Sequence, residues 1–180
     1  MRLVLLDRDG VLNEDRDDFV KSPPEFVMIP GAAEAVARLN GAGIKVAVVS
    51  NQSGVARGLF ASAMLDRLTD KLREELRRAG AHLDLVLYCT DHPDMPSERR
   101  KPAPGMLREA LSHFRIAPDQ SCMIGDKLAD LEAAHRAGCR RILVRTGKGP
   151  KTQGAGLPSQ ILPVSVYDSL SHAVDALLRP

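Results

Sequence analysis

The sequence predicts an α/β fold: a Rossmann-like, mostly parallel sheet with helices on both of its faces. Three observations carry that prediction. Short, continuously apolar runs alternate with longer amphipathic stretches along the whole chain. Those runs are apolar at every position rather than every second one, as strands buried on both faces require. Glycines and a proline sit at the boundaries of the amphipathic stretches, where helix caps belong. Alternation of this kind folds as a parallel sheet with right-handed helical crossovers.

Taken in order, the strands are expected at 2–6, 45–50, 84–89, 121–125 and 141–145, with a weaker one at 162–166. Helices are expected over Gly31 to Asn40, Ala61 to Arg78, Pro104 to Phe114, Lys127 to Ala137 and Tyr167 to Leu178. The second has the clearest pattern, because Met64, Leu65, Leu68, Leu72 and Leu76 recur at helical spacing with charges opposite. Gly41, Gly80 and Gly138 stand where left-handed cap residues belong, and Pro104 suits a first helical turn. The stretch 147–163 is rich in Gly and Pro and reads as a long loop near the site or a mobile flap. One domain over 1–180 is expected, a length that buries roughly two thirds of the unfolded surface.

Composition narrows the function. The formal net charge is only +2, from 25 basic and 23 acidic residues, and aromatics make up 3%. That gives neither the basic footprint nor the stacking platforms of a nucleic-acid binder. No apolar run approaches the roughly 20 residues of a membrane span, and no signal-peptide pattern opens the chain. Cys89, Cys122 and Cys139 are few and scattered, as expected of reduced thiols. A cytoplasmic, monomeric enzyme is the expectation, without nucleic-acid or membrane partners.

The chemistry concentrates in Leu5-Leu6-Asp7-Arg8-Asp9-Gly10, where the first apolar run ends in two carboxylates. If the chain stays extended there, Asp7 and Asp9 share one side and Arg8 faces the other. Adjacent carboxylates repel, and a divalent cation is the usual remedy. Such a pair suits phosphoryl transfer, with one Asp attacking phosphorus and the other managing the leaving group's proton. Ser50 and Asp126 also end apolar runs, so Asp7, Asp9, Ser50 and Asp126 should meet outside the carboxyl ends of the strands.

Four strings in order, Asp7-Arg8-Asp9-Gly10-Val11-Leu12-Asn13, Val46 to Ser53, Arg100-Lys101-Pro102 and Met123 to Asp130, resemble the motifs of the haloacid dehalogenase-like phosphatases. The intervals between them leave no room for the cap domain of larger relatives, so the resemblance implies a capless core. It also implies Asp7 as nucleophile, Asp9 as acid and base, Ser50 and Lys101 as phosphoryl ligands, and Mg²⁺ on the Asp7 carboxylate, the Asp9 carbonyl and Asp126. Asp130, one turn beyond Asp126, would orient Lys101 or cap the helix.

Within that superfamily, Ser50-Asn51-Gln52-Ser53-Gly54-Val55-Ala56-Arg57-Gly58 and Arg100 to Met106 are similar to the heptose bisphosphate 7-phosphatases and the related histidinol-phosphatase domains. The resemblance implies a small phosphorylated sugar as substrate, bound by Asp15, Asp18, Asn51, Gln52, Ser53, Arg57, Arg100 and Lys127, in glycan or lipopolysaccharide biosynthesis. Histidinol phosphate or a broad set of sugar phosphates is the alternative substrate, and an inactive phosphoryl-binding module the alternative of another class. Many members of this family hold structural Zn²⁺ with Cys and His followed by a Cys-x-Cys pair. Here only Cys89 and His92 remain, and two ligands do not close a structural zinc site, so Zn²⁺ is not expected.

Overall fold

The computed structural model describes residues 1–179. Six strands form one sheet: β1 (Leu3–Leu6), β2 (Lys45–Asn51), β3 (Leu85–Cys89), β4 (Ser121–Gly125), β5 (Arg140–Val144) and β6 (Ser165–Tyr167). Their spatial order is β3-β2-β1-β4-β5-β6, and every pair is parallel. β1 lies inside, in register with β2 (Leu3 opposite Lys45) and β4 (Leu3 opposite Ser121). Its four residues are fully buried. The period of two divides them: Val4 and Leu6 enter one core, Leu3 and Leu5 the other.

Helices α1 (Ala32–Gly41), α2 (Ser62–Arg78) and α6 (Leu170–Leu178) cover the Val4–Leu6 face. The Leu3–Leu5 face is covered by α3 (Gly105–Phe114) and α4 (Leu128–Ala137). The α2 stripe packs as its spacing requires, with Leu65, Leu68, Leu72 and Leu76 buried. Each such leucine contributes on the order of 1.5–3 kcal/mol of transfer free energy. No helix is long and apolar enough to cross a membrane.

This topology positions the site. The chain runs outward from β1 through β2 to β3, then returns to β4 on the other side of β1. Loops leaving β1 and β4 therefore diverge and open a crevice at the carboxyl ends of the strands. Between Asp7 and Ser50 lie a loop with one short 3-10 turn and α1; between Ser50 and Lys101 lie α2, β3 and a loop.

Several boundaries differ from expectation, each for a local reason. The last strand starts at Ser165, after Pro163, a residue with no ladder donor to offer. The last helix waits for Ser169, whose hydroxyl caps the His172 amide. Pro104 is the cap of α3 rather than its first residue, and α1 continues through Gly41, leaving the left-handed turn to Gly43 (φ 72°).

The stretch 147–163 is not loop throughout. It contains α5 (Gly149–Gly154) and is tied to the sheet end: the Thr146 hydroxyl donates to the Gly10 carbonyl (2.6 Å) and Thr152 Oγ1 to the Asp126 carbonyl (2.8 Å). Gly149 lies so close to the end of β5 that a Cβ there would strike the Val144 carbonyl. Gly149→Ala should therefore lower stability by about 1–3 kcal/mol, the usual cost of overpacking, as measured by urea denaturation.

Candidate active site

β1 ends by placing Asp7 between its two neighbours. The Asp7 amide extends the pairing with β4 by donating to the Ile124 carbonyl (3.1 Å). Its carboxylate turns towards β2. Asp7 Oδ1 accepts from Ser50 Oγ (2.6 Å) and the Arg8 amide (2.8 Å), and lies 3.2 Å from Lys101 Nζ. No hydrogen bond reaches Oδ2 among the described residues. Burial alone would push this carboxyl up, but the charges of Lys101 and Lys127, with the Ser50 and Arg8 donors, hold it below the usual carboxylate range.

Lys101 is the counter-charge. Its ammonium is almost fully buried and touches Asp130 Oδ1 (2.6 Å), the Val49 carbonyl (2.7 Å) and Asp7. Burial favours the neutral amine, yet Asp130 and Asp7 outweigh it and raise the Lys101 pKa. Asn51 fixes the backbone there, donating to the Lys101 carbonyl (2.8 Å) and accepting from its amide (3.1 Å). Asp130 performs both roles considered for it: it pairs with Lys101 and, at the third residue of α4, accepts from the Lys127 amide (3.0 Å).

Asp126, fully buried at the end of β4, has the least compensation. Its Oδ2 accepts from the Lys148 amide (2.7 Å), while Oδ1 is buried without a partner. Burial, opposed by Lys127 and reinforced by Asp7 and Asp130, pushes its pKa up to about 8. Gly10 and Gly147 close around this carboxylate so tightly that a Cβ on either would run into it. Asp7, Asp126 and Asp130 each offer an oxygen within 4.8 Å of the others. Asp130 is committed to Lys101 and the Lys127 amide, so Asp7 and Asp126 remain, with an Asp9 carbonyl that accepts no hydrogen bond among the described residues. An orphaned buried carboxylate oxygen among hard oxygen donors fits a divalent cation such as Mg²⁺.

Asp7 and Asp9 both turn their carboxylates to the Ser50 and Gln52 side chains, as a shared side requires, but Arg8 does not follow the alternation expected of an extended strand. The ladder stops at Asp7, and Gly10 (φ 87°) turns the chain so that the Leu12 and Asn13 amides both donate to the Arg8 carbonyl. Arg8 consequently folds back onto Asp9 instead of facing away, and its guanidinium grips the Asp9 carboxylate (Nη2 to Oδ2, 2.9 Å).

Beside Asp9 opens a crevice of about 210 Å³, lined by Asp15, Arg16, Asp17, Asn51, Lys127 and Lys148 among others. Lys127 pairs with Asp15 (3.2 Å) and Lys148 with Asp17, so two lysines hold the 13–24 loop over the crevice. Of the expected substrate contacts, Asp15, Asn51 and Lys127 line this space; Asp18, Gln52, Ser53, Arg57 and Arg100 do not. Asp18 is exposed and held by Arg16 (3.0 Å) and Lys21 (2.6 Å). Gln52 is buried, its amide nitrogen on Asp9 (2.7 Å) and Ser50 (3.2 Å). Ser53 is buried, Arg57 is exposed, and Arg100 donates to the Asp91 carbonyl (3.2 Å).

Cys89 is buried at the end of β3, where desolvation raises its thiol pKa. His92 turns to Asp94 (3.4 Å), and no third metal-ligating side chain joins the two among the described residues. Arg8, Asn13 and Lys148 contact the site without being among the residues expected there. Lys148 follows the end of β5 within Gly147-Lys148-Gly149, so the strand-end rule that selected Asp126 would have reached it too.

Comparison with known proteins places this geometry in context. Residues 98–173 match a family described as "HAD-hyrolase-like". D-glycero-beta-D-manno-heptose-1,7-bisphosphate 7-phosphatase from Pseudomonas aeruginosa is 43% identical over 177 residues, covering 98% of each chain. The protein of that name from Bordetella bronchiseptica is 44% identical over 181 residues, covering 99% of each. The crystal structure of D,D-heptose 1.7-bisphosphate phosphatase from B. bronchiseptica, complexed with magnesium and phosphate, superposes with a TM-score of 0.94 at 42% identity, covering 99% of this chain and 98% of that one.

The state of Asp126 gives a signed pH dependence. A carboxyl raised from 3.8 to about 8 binds its proton more tightly in the folded than in the unfolded state. Its contribution to the stability of the cation-free protein therefore falls as pH rises between those values. A cation needs the ionised form, so stabilisation by millimolar Mg²⁺ should grow from pH 5 towards pH 8, reaching roughly 2.7 kcal/mol at a hundredfold excess over Kd. Thermal unfolding with Mg²⁺ and with EDTA across that range measures it; a pH-independent Mg²⁺ effect would contradict the assignment.

Proposed function

Because this chain belongs to the family of D-glycero-D-manno-heptose-1,7-bisphosphate 7-phosphatases, within the haloacid dehalogenase-like hydrolases, we propose that it removes the 7-phosphate of that heptose bisphosphate with Mg²⁺ bound. The relatives from P. aeruginosa and B. bronchiseptica carry the beta designation, and the same anomer is the substrate proposed here. One observation carries the reading. Asp7 has one oxygen saturated by Ser50, Arg8 and Lys101, it shares with Asp126 a cluster of carboxylate oxygens within 4.8 Å of one another, and Asp126 Oδ1 is buried without a hydrogen bond.

In this reading Asp7 attacks phosphorus, the P–O bond to C7 breaks, and Asp9 gives a proton to the departing alkoxide. Asp9 then takes a proton from water as that water attacks the aspartyl phosphate, releasing inorganic phosphate and restoring the Asp7 carboxylate. Ser50 and Lys101 keep Asp7 oriented and ionised, and Lys101 offsets charge on the transferring group. Mg²⁺, held by Asp7, Asp126 and the Asp9 carbonyl, would supply Lewis-acid polarisation of the phosphoryl oxygens. Substrate selection falls to the 13–24 loop and the lysines facing it. Lys127 and Lys148 suit the second phosphate, and an anion there would compete with Asp15 and Asp17 for them. The enzyme acts as a cytoplasmic monomer on a diffusible sugar phosphate.

Asp7→Asn should retain Mg²⁺ and substrate binding while kcat falls by at least about a thousandfold, the scale of nucleophile loss. Full activity in that variant would refute the nucleophile. Steady-state kinetics on both anomers of the heptose bisphosphate and on histidinol phosphate test the substrate. A preference of more than about tenfold, or 1.4 kcal/mol, for histidinol phosphate would overturn the assignment.

A further inference from the structure

Arg8 is a fully buried charged side chain whose contacts converge on Asp9. Its guanidinium lies 6.0 Å from the Phe26 ring centroid and 5.7 Å from that of Tyr88. Between these rings its Nε and Nη2 meet Asp9 Oδ1 (3.2 and 3.0 Å), and Nη2 also meets Oδ2 (2.9 Å). Nη2 further donates to Gln52 Oε1 (3.1 Å), and the Gln52 amide nitrogen returns to Asp9 Oδ2 (2.7 Å) and to Ser50 Oγ (3.2 Å). Asn13 Nδ2 completes the cage on Oδ1 (2.8 Å). The third guanidinium nitrogen, Nη1, is buried without a partner.

Burying a guanidinium and leaving one donor orphaned is costly, and apolar residues would fill the space between two aromatic rings at lower cost. What the arrangement supplies is orientation. A planar fork fixes both carboxylate oxygens at once, which a single ammonium cannot do. The Asp9 side chain nevertheless keeps 15% of its surface open, on the crevice that Asn51 and Lys127 also line. The geometry points to Arg8 as the positioning residue for proton transfer by Asp9, coupled through Gln52 to the Ser50 that holds Asp7. This inference rests on the phosphatase reading above and adds to it a residue that touches neither substrate nor cation.

Arg8→Lys and Arg8→Met test it, compared with the unaltered enzyme on an alkyl phosphate (the heptose bisphosphate) and on p-nitrophenyl phosphate. With the aryl ester the P–O bond breaks and p-nitrophenolate leaves with the electron pair, needing no proton. Hydrolysis of the phosphoenzyme still requires Asp9 to take a proton from water. Both variants should therefore lose about a hundredfold in kcat on the alkyl ester, the lower range for a general acid and base, with KM little changed. On the aryl ester they should release a burst of p-nitrophenolate equal to the enzyme, followed by slow turnover.

An equal fall on both esters without a burst would overturn the positioning role, as would an unchanged kcat on the alkyl ester. Arg8→Lys keeps the charge and the stem between the rings, so it carries the comparison if Arg8→Met fails to fold, with Tm measured for each. Should the unaltered enzyme hydrolyse p-nitrophenyl phosphate but no heptose bisphosphate, the substrate reading fails while an alkyl phosphate that is hydrolysed still tests Arg8.

Discussion

The site depends on one buried ammonium. Lys101 sits among Asp7, Asp130 and the Val49 carbonyl, where water cannot screen any of them. Without it, two buried carboxylates would lose the counter-charge they share, and removing one partner of such a cluster typically costs 3–5 kcal/mol. With it, Asp7 stays ionised at the end of β1. Lys101 comes from a loop, so its position needs its own support, which Asn51 provides by hydrogen-bonding both the Lys101 amide and carbonyl from the end of β2. The same contacts that stabilise the charge thus fix it beside the reacting centre.

Asp126 is arranged on the opposite principle. No ammonium lies as close to it as Lys101 lies to Asp130; the nearest, Lys127 Nζ, is 3.9 Å from the oxygen that lacks a hydrogen bond. Backbone donors and close-packed glycines hold that carboxylate without neutralising it. The result is a rigid acceptor whose charge is balanced only when a cation arrives. Relieving desolvation and like-charge repulsion then becomes part of the binding free energy. The loop from β5 to α5 shares in this, because Lys148 reaches Asp126 through its amide and Asp17 through its ammonium. One short segment therefore buttresses Asp126 and closes one side of the crevice.

Asp9 shows how a carboxylate can be held on both oxygens and still keep 15% of its side chain exposed at the crevice. Its oxygens are caged by Arg8, which follows β1, by Gln52, which follows β2, and by Asn13 in the turn beyond Gly10. Orientation is supplied by the sheet, while exposure is supplied by the divergence of loops at the switch in strand order. The 13–24 loop, by contrast, is held over the crevice by partly exposed ion pairs of Lys127 with Asp15 and of Lys148 with Asp17, whose partners can be exchanged at small net cost.

The strands, the helix faces and the meeting of Asp7, Ser50 and Asp126 at one edge follow from patterns that are local in sequence, whereas the order β3-β2-β1-β4-β5-β6 does not. Apolar runs can only be buried in a sheet, and their ends mark its carboxyl edge. The α2 stripe and the acids after β1 and β4 needed no tertiary information. Arg8 did. Its direction was set by where the extended ladder stops and by a left-handed turn at Gly10, and the period of two fails at that point. Gln52, expected at the substrate, is drawn inward because Ser50 on β2 and Asp9 in the turn after β1 both offer it partners. The helix within 147–163 is tied down by contacts with distant residues: Thr152 on it and Lys148 at its cap reach Asp126, and Thr146 just before it reaches Gly10. Sequence by itself thus determined which chemistry gathers at the sheet's edge, since burial and periodicity act residue by residue. Only the tertiary structure decided which of those groups face substrate and which hold one another, because hydrogen bonds between distant strands exist only once the strands are side by side.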